Sequence, residues 1–339
     1  MRAYRLERSG LGILGLHLGE EPIPAPGPGE VLIRIRATSL SFRERMVLRG
    51  DYVLPVKPNI VPLSDGAGEI VGLGEGVARF GYGDRVAANI FPFWHSGPLQ
   101  FEAVAQLGSS HDGLLRDYAV LPEDALVRIP DHLSYAEAAT LPCVGVTAWN
   151  AVTSGQDIGP GATVVTLGTG GVSLFALQFA KQLGARVIGT TGDADKESRL
   201  RGLGADEVIN YRSDPHWVDS VRALTHGRGA DLVVDVTGQL NQSLRLISLG
   251  GEVAFVGFLA EEGVGPIDVQ TLFYSSGTLR VIATGSRSQF EDMNDAITQG
   301  ELRPVIGEEF GFGEALDAFA FYEQNNPFGK VVITNDDDH

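Results

Sequence analysis

The sequence predicts an α/β protein whose second half forms a doubly wound parallel sheet, preceded by a β-rich first third. Three observations carry this. From residue 131 to 283, strand-like and helix-like segments alternate at the spacing of βαβ units. Residues 163–167 (TVVTL) form an apolar, β-branched run suited to a strand buried on both faces, and a glycine turn follows directly. Residues 32–37 (LIRIRA) alternate apolar and charged side chains, as a half-buried strand does.

Composition sets the outer bounds. At about 150 residues per domain, a chain of 339 residues predicts two domains. Hydrophobic residues at 43% and charged residues at 20% indicate a packed core rather than a disordered chain. The net charge of −17 disfavours nucleic acid and anionic membrane surfaces as main partners. One Cys excludes an intrachain disulfide and a four-Cys zinc site, which fits a reducing, cytoplasmic setting. The charged N-terminus MRAYRLERSG leads into no apolar segment, so no secretory signal is expected. The uncharged stretch 163–180 approaches the length of a membrane span, but Gly168, Gly170 and Gly171 interrupt it. The acidic tail 335–339 reads as a solvated end.

The elements follow in order. Pro and Gly crowd residues 22–30 (PIPAPGPGE), a loop before the 32–37 strand. Short strands are expected at 67–71 and 84–88, an irregular aromatic segment at 91–113, and strand-like pattern again at 118–130. Ser134, with Glu137 three residues on, has capping-box spacing and opens a helix over 134–139. Strands are then expected at 163–167, 186–190, 207–209, 231–236, 252–256 and 279–283. Helices are expected at 173–183, 194–202, 215–224, 240–247 and 289–299. The last 40 or so residues read as irregular, closing in a strand at 331–334.

The segment 163–191 is strand, glycine turn, helix, strand. Gly168, Gly170 and Ser173 fill the three positions of a GxGxxG turn. The first glycine permits the tight bend, the second lets a pyrophosphate approach the backbone, and the third position needs a small residue where helix meets strand. The N–H groups near Gly171 and Val172 then face the phosphates at a helix N-terminus. A dinucleotide cofactor is therefore expected. An NAD site places an acid about 20 residues further on, to bond the ribose 2′-OH. That point is Thr191-Gly192, with Asp193 and Asp195 close behind; hydroxyls at Thr190 and Thr191 and a cation at Lys196 suit a 2′-phosphate better. NADP(H) is the expected cofactor.

The chain resembles the medium-chain dehydrogenase/reductase superfamily, in particular its zinc-free, quinone-oxidoreductase-like branch. The resemblance rests on residues 62–69 (PLSDGAGE), 83–86 (GDRV), 138–142 (AATLP), 168–172 (GTGGV), 184–185, 204–206, 208–211 (VINY) and 328–332 (FGKVV). It implies a Rossmann domain at 124–289 and a GroES-like β-barrel catalytic domain at 1–123, with 290–339 returning to the barrel. It implies Lys196 and Tyr211, fifteen residues apart, as the 2′-phosphate pair. Thr147 resembles a nicotinamide contact, Gly238, Gly257, Phe258 and Gly285 line the cofactor after successive strands, and Lys330 matches a basic position that reaches the pyrophosphate. It also implies a homodimer paired through the strand at 279–283.

Zinc-dependent members carry Cys, His and Cys ligands. Here the first two positions read Ser41 and Ser64, and only Cys143 matches, so no metal is expected. Cys143 reads as a small buried residue, and His95 and His111 fix no third ligand. Without a Lewis acid, quinones and conjugated enones are the acceptors that take hydride most readily. Tyr52 and Ser41 are the candidate donors to the developing oxyanion, and Phe91, Phe93 and Trp94 are a candidate floor for a flat acceptor. Two other readings remain open: a zinc-free NADP-dependent alcohol or aldehyde dehydrogenase, and an NADPH-binding protein without turnover.

Overall fold

A computed structural model describes residues 1–257 and 265–335. The chain divides into two compact units, residues 1–146 with 285–339, and residues 147–284. The first boundary thus falls later than the expected 123/124. Tyr135–Ala138 packs on the strands Glu30–Leu40 and Asp65–Leu73, which ties this segment to the barrel. The second boundary falls slightly earlier than 289/290, because the helix Arg287–Gln299 packs on the strand Leu126–Arg128.

In the first unit, Glu30–Leu40 is the spine of a seven-stranded sheet. It pairs antiparallel with Asp65–Leu73, Tyr118–Pro122 and Lys330–Thr334. Its alternation works as expected: Val31, Ile33, Ile35 and Ala37 point into the core. Two apolar clusters fill the unit, one around Ile33, Ile70 and Leu114, the other around Leu40, Leu63 and Phe319.

The second unit is a six-stranded parallel sheet in the order Glu207–Asn210, Arg186–Thr191, Thr163–Thr166, Ala230–Asp235, Ile247–Phe255, Thr278–Val281. Strand order reverses after Thr163–Thr166, the switch point at which such sheets bind ligands. Its core joins Val165, Ile188 and Val233 to Val221 and Leu244 from the helices.

Several elements lie outside the expected set. The helix Phe42–Arg49 (FRERMVLR) turns Arg43 and Glu44 inward, so buried charge replaces the apolar stripe that announces a helix. The C-terminal stretch is ordered, with a strand Ile306–Gly311 and a helix Ala315–Gln324. The strand is a largely exposed sheet edge and shows no apolar alternation. Among the described residues no helix is long and apolar enough to cross a membrane.

Candidate functional site

The glycine turn at the switch point is built as an anion cradle. Gly168 has φ +84°, a left-handed bend that glycine adopts without cost. Gly170 is the N-cap of the helix Gly171–Gln182, in extended backbone and with no side-chain cap. The first N–H groups of that helix, at Gly171 and Val172, are thus left without a capping side chain, and helix ends need a partner for these groups. Among the described residues, a Cβ built on Gly168 or Gly170 would meet nothing within 4 Å. Among the described residues, nothing in the packing requires a glycine at 170, whose φ is −79°. The open space above the bend fits a pyrophosphate. Ser173, in the third motif position, donates its hydroxyl to Leu167 O at 2.7 Å and so pins helix to strand.

The end of the neighbouring strand carries the other residues expected at the cofactor. Thr190 Oγ1 accepts from Gly168 N at 3.2 Å, so this hydroxyl supports the turn. Thr191 is buried, and its Oγ1 accepts from Asp193 N at 3.1 Å. Asp193 caps the next helix, Ala194–Gly202, by accepting from Asp195 N at 3.0 Å. Lys196 lies in the first turn of that helix. Burial depresses its pKa, Asp193 opposes the shift, and Arg199 and Arg212 add to it. Tyr211 N donates to Thr191 O at 3.0 Å, which brings the tyrosine to the same strand end as Lys196. Its half-exposed ring lies over Gly192, where a Cβ would sit 2.7 Å from ring atoms. Gly192 therefore makes the room that Tyr211 needs, a role the sequence analysis missed.

The remaining cofactor candidates are placed as follows. Thr147 is buried in the first turn of the helix Val146–Thr153. Gly238 has φ +79° and its N–H donates to Asp235 Oδ1 at 3.0 Å. Asp235, fully buried, also accepts from Thr237 and Ser243 and holds the turn beyond its strand. Gly257 has φ +66° and leaves space for the Phe255 ring. Phe258 lies outside the described residues. Gly285 belongs to the first unit, where a Cβ would stand 2.6 Å from Val146.

In the first unit, Ser41 and Ser64, two of the positions that the resemblance aligned with zinc ligands, sit within a buried polar cluster. Lys330, 2% exposed, donates from Nζ to Leu40 O and Ser41 Oγ, each at 2.6 Å, and to Asp65 Oδ2 at 3.1 Å. An ammonium has three N–H donors, and all are used here. Two expectations change as a result. Lys330 is a buried ion-pair partner rather than a pyrophosphate contact. Ser41 donates its one hydroxyl proton to Asp65 Oδ2 at 3.0 Å while accepting from Lys330, so its proton is held by a carboxylate rather than offered to an oxyanion.

Ser64 is fully buried, with its hydroxyl 3.1 Å from Asp65 Oδ1 and 3.4 Å from Glu44 Oε1. Leu63, just before it, is held at φ +67°, a strained conformation for a buried non-glycine residue. Cys143 sits in a π-helical turn, Leu141–Gly145, packed against Ile90, Phe91, Trp94 and Ala103. Burial, joined by the charge of Asp65, pushes its thiol up to about 12. Phe91 and Trp94 are themselves core residues, in edge contact at 5.6 Å, and only Phe93 is exposed; the expected aromatic floor is mostly packing.

Next to this cluster, Arg43 and Glu44 form a second buried ion pair at 2.8 Å. Burial opposes the guanidinium charge, but Glu44 and Tyr52 outweigh it and raise the Arg43 pKa. Tyr52 is half-buried. Its hydroxyl donates to Gln106 Oε1 and accepts from Arg43 Nε at 3.3 Å.

Comparison with known proteins fits both units. Residues 27–131 match the alcohol dehydrogenase GroES-like domain, and residues 171–299 match the zinc-binding dehydrogenase domain. The chain is 39% identical over 317 residues to a zinc-type alcohol dehydrogenase-like protein of Schizosaccharomyces pombe, covering 91% of this chain and 92% of that one. This chain belongs to the medium-chain dehydrogenase/reductase superfamily. Members of the superfamily are oxidoreductases that bind a nicotinamide cofactor, and this one has their GroES-like and parallel-sheet units. A medium-chain relative at 30% identity, over 98% of both chains, is the chloroplastic quinone-oxidoreductase QR1 of Triphysaria versicolor. Among solved structures, a putative alcohol dehydrogenase from Sinorhizobium meliloti superimposes with TM-score 0.91 at 38% identity, over 98% of each chain. An NAD-dependent alcohol dehydrogenase superimposes at 0.88 with 34% identity, over 98% of this chain and 99% of that one. A mycobacterial protein solved with NADPH gives 0.81 at 27% identity, over 98% and 100%.

Proposed function

We propose that this medium-chain dehydrogenase/reductase uses NADPH to reduce a quinone or a conjugated carbonyl, without catalytic zinc. The observation that carries the reading is the state of the three ligand positions. Tetrahedral catalytic zinc needs about three basic protein ligands. Here they are two serines, weakly basic hydroxyls whose oxygens already serve Lys330, Asp65 and Glu44, which leaves Cys143 as the one ordinary zinc ligand of the three. That donor set does not fit the metal. Among the described residues no other group of three or more His, Cys, Asp or Glu could hold one.

The choice of NADPH rests on Lys196 and Tyr211 both following strands that end side by side, with Asp193 turned to cap its own helix. The relative solved with NADPH agrees, whereas the NAD-dependent relative sets the competing expectation. When bound, the reduced nicotinamide supplies hydride; the protein supplies the cradle at Gly168 and Gly170, the phosphate anchors, and a hydroxyl at Tyr52 for the acceptor oxygen. Oxidation of NADPH by 1,4-benzoquinone but not by simple aldehydes is the expected result. Turnover of simple alcohols with NADP⁺ would favour the alcohol-dehydrogenase reading that the relatives' names suggest. Tight NADPH binding with no turnover across quinones, enones and aldehydes would leave the binding-only reading.

The protein is further proposed to act as a homodimer. The strand Thr278–Val281 ends the parallel sheet, and Val281 is 68% exposed there. The helix Val269–Ser275 presents Phe273 and Tyr274, both more than three-quarters exposed. Light scattering should give twice the chain mass; a particle of 36.1 kDa would refute it.

A further inference from the structure

We propose that Arg43 is a positioning residue that sets Tyr52 as the proton donor to the acceptor oxygen. The inference rests on the NADPH-dependent reductase reading above and adds the group that completes its chemistry.

Tyr52, Arg43 and Gln106 close a three-way arrangement. Arg43 Nε donates to the Tyr52 hydroxyl oxygen at 3.3 Å, and Arg43 Nη2 donates to Gln106 Oε1 at 3.2 Å. The Tyr52 hydroxyl donates to that same Gln106 oxygen. The guanidinium carbon stands 4.9 Å from the centre of the Tyr52 ring, so the cation also lies over the ring face. Arg43 and Gln106 are buried, at 8% and 4% exposure, and Glu44 fixes the far side of the guanidinium. Tyr52 alone of the three is half-buried, so it is the side chain of this trio that an incoming acceptor can reach.

The geometry provides for both states of that hydroxyl. Before reaction the O–H is aimed by Gln106 and the oxygen is held by Arg43. During reduction the phenolic O–H bond breaks and an O–H bond forms on the acceptor oxygen. The electron pair that reduces the acceptor is the hydride of NADPH, which leaves as NADP⁺. The phenolate left at Tyr52 receives the Arg43 Nε–H with a full positive charge beside it, and water returns the proton. A hydroxyl facing a developing oxyanion is worth most where a fixed charge already supports the conjugate base. Ser41 is less suited to this role, because its proton is held by the charged carboxylate of buried Asp65, whereas Tyr52 gives its proton to a neutral amide oxygen.

A double-mutant cycle on quinone reduction tests the coupling. Y52F should lower kcat about a hundredfold or more, in the range of lost general acids, with NADPH affinity unchanged. R43K keeps the charge beside Glu44, and therefore the fold, but loses the planar fork. It should lower kcat about tenfold in the wild-type background and leave Y52F unchanged. In R43A, added guanidinium ion should restore turnover, but not in R43A/Y52F. Y52F retaining wild-type kcat would overturn the proposal, as would an R43K effect of equal size in both backgrounds. Should R43A fail to fold, the R43K cycle decides alone. A wild-type protein that binds NADPH but turns over no acceptor refutes the functional reading instead, and is recognised before any variant is made.

Discussion

Replacing Lys330 with Met separates two roles for one residue. The structure gives Lys330 a buried ammonium bonded to Leu40 O, Ser41 Oγ and Asp65, with Asp65 fully buried beside it. Removing one partner of such a pair strands the other charge, at a cost of about 3–5 kcal/mol. At roughly 2–4 °C per kcal/mol for a unit of this size, K330M should melt about 6–20 °C below wild type. Adding D65N should recover much of the loss, since the second substitution removes the stranded charge. Calorimetric melting of the two variants, with NADPH titrated into each below its transition, gives both readings. NADPH affinity should stay within about threefold, under 1 kcal/mol. A K330M protein with wild-type melting and NADPH affinity weakened tenfold or more would refute the buried-pair assignment and return Lys330 to the phosphate.

Other outcomes follow from single residues. Gly170→Ala should fold with little loss, about 0.5–1 kcal/mol for an N-cap alanine, yet weaken NADPH about tenfold or more by blocking a charge-assisted contact. Gly168→Ala should lose both, because its φ of +84° adds about 1–2 kcal/mol of strain for a side chain; titration and melting of the pair check this. Lys196→Ala should weaken NADPH about tenfold and leave NADH nearly unchanged. In the wild type, NADPH affinity should fall with rising pH sooner than an ordinary lysine would cause, because burial depresses the Lys196 pKa. Native Cys143 should resist a thiol reagent at pH 8, since its thiol stays protonated to about 12; fast labelling of folded protein would contradict that. Burial opposes the Asp112 charge, but Val61 N–H at 3.1 Å and Lys57 at 3.0 Å win and hold its pKa low. The stability it adds is present above pH ~4 and is lost as pH falls through the depressed value. Asp112→Asn should therefore cost about 1–2 kcal/mol at pH 7, a gap in urea melts that narrows as pH falls below ~4.

The local features of this protein were readable from sequence, and the tertiary ones were not. The run 163–173 carries its own instructions: a β-branched strand, a left-handed glycine and a helix that follows without a side-chain cap. The structure realises each. The capping box of Ser134 and Glu137 is equally local and forms with both bonds. Arg43 escaped notice because its helix buries charge, and a periodicity search counts Arg and Glu as outward-facing. Lys330 and Ser41 were assigned to ligands because residue type reports chemistry without direction. Only the pairing of Lys330–Thr334 with Glu30–Leu40 turns them toward Asp65. The Tyr211 ring lies over Gly192 because two strands end side by side, a contact between residues nineteen apart that no single motif encodes.

Calorimetric titration of the wild-type protein with NADPH and with NADH tests the cofactor site most directly. NADPH should bind at least about tenfold more tightly, 1.4 kcal/mol or more, with the difference abolished in Lys196→Ala. Equal affinities, tighter NADH, or no binding of either dinucleotide would contradict the account.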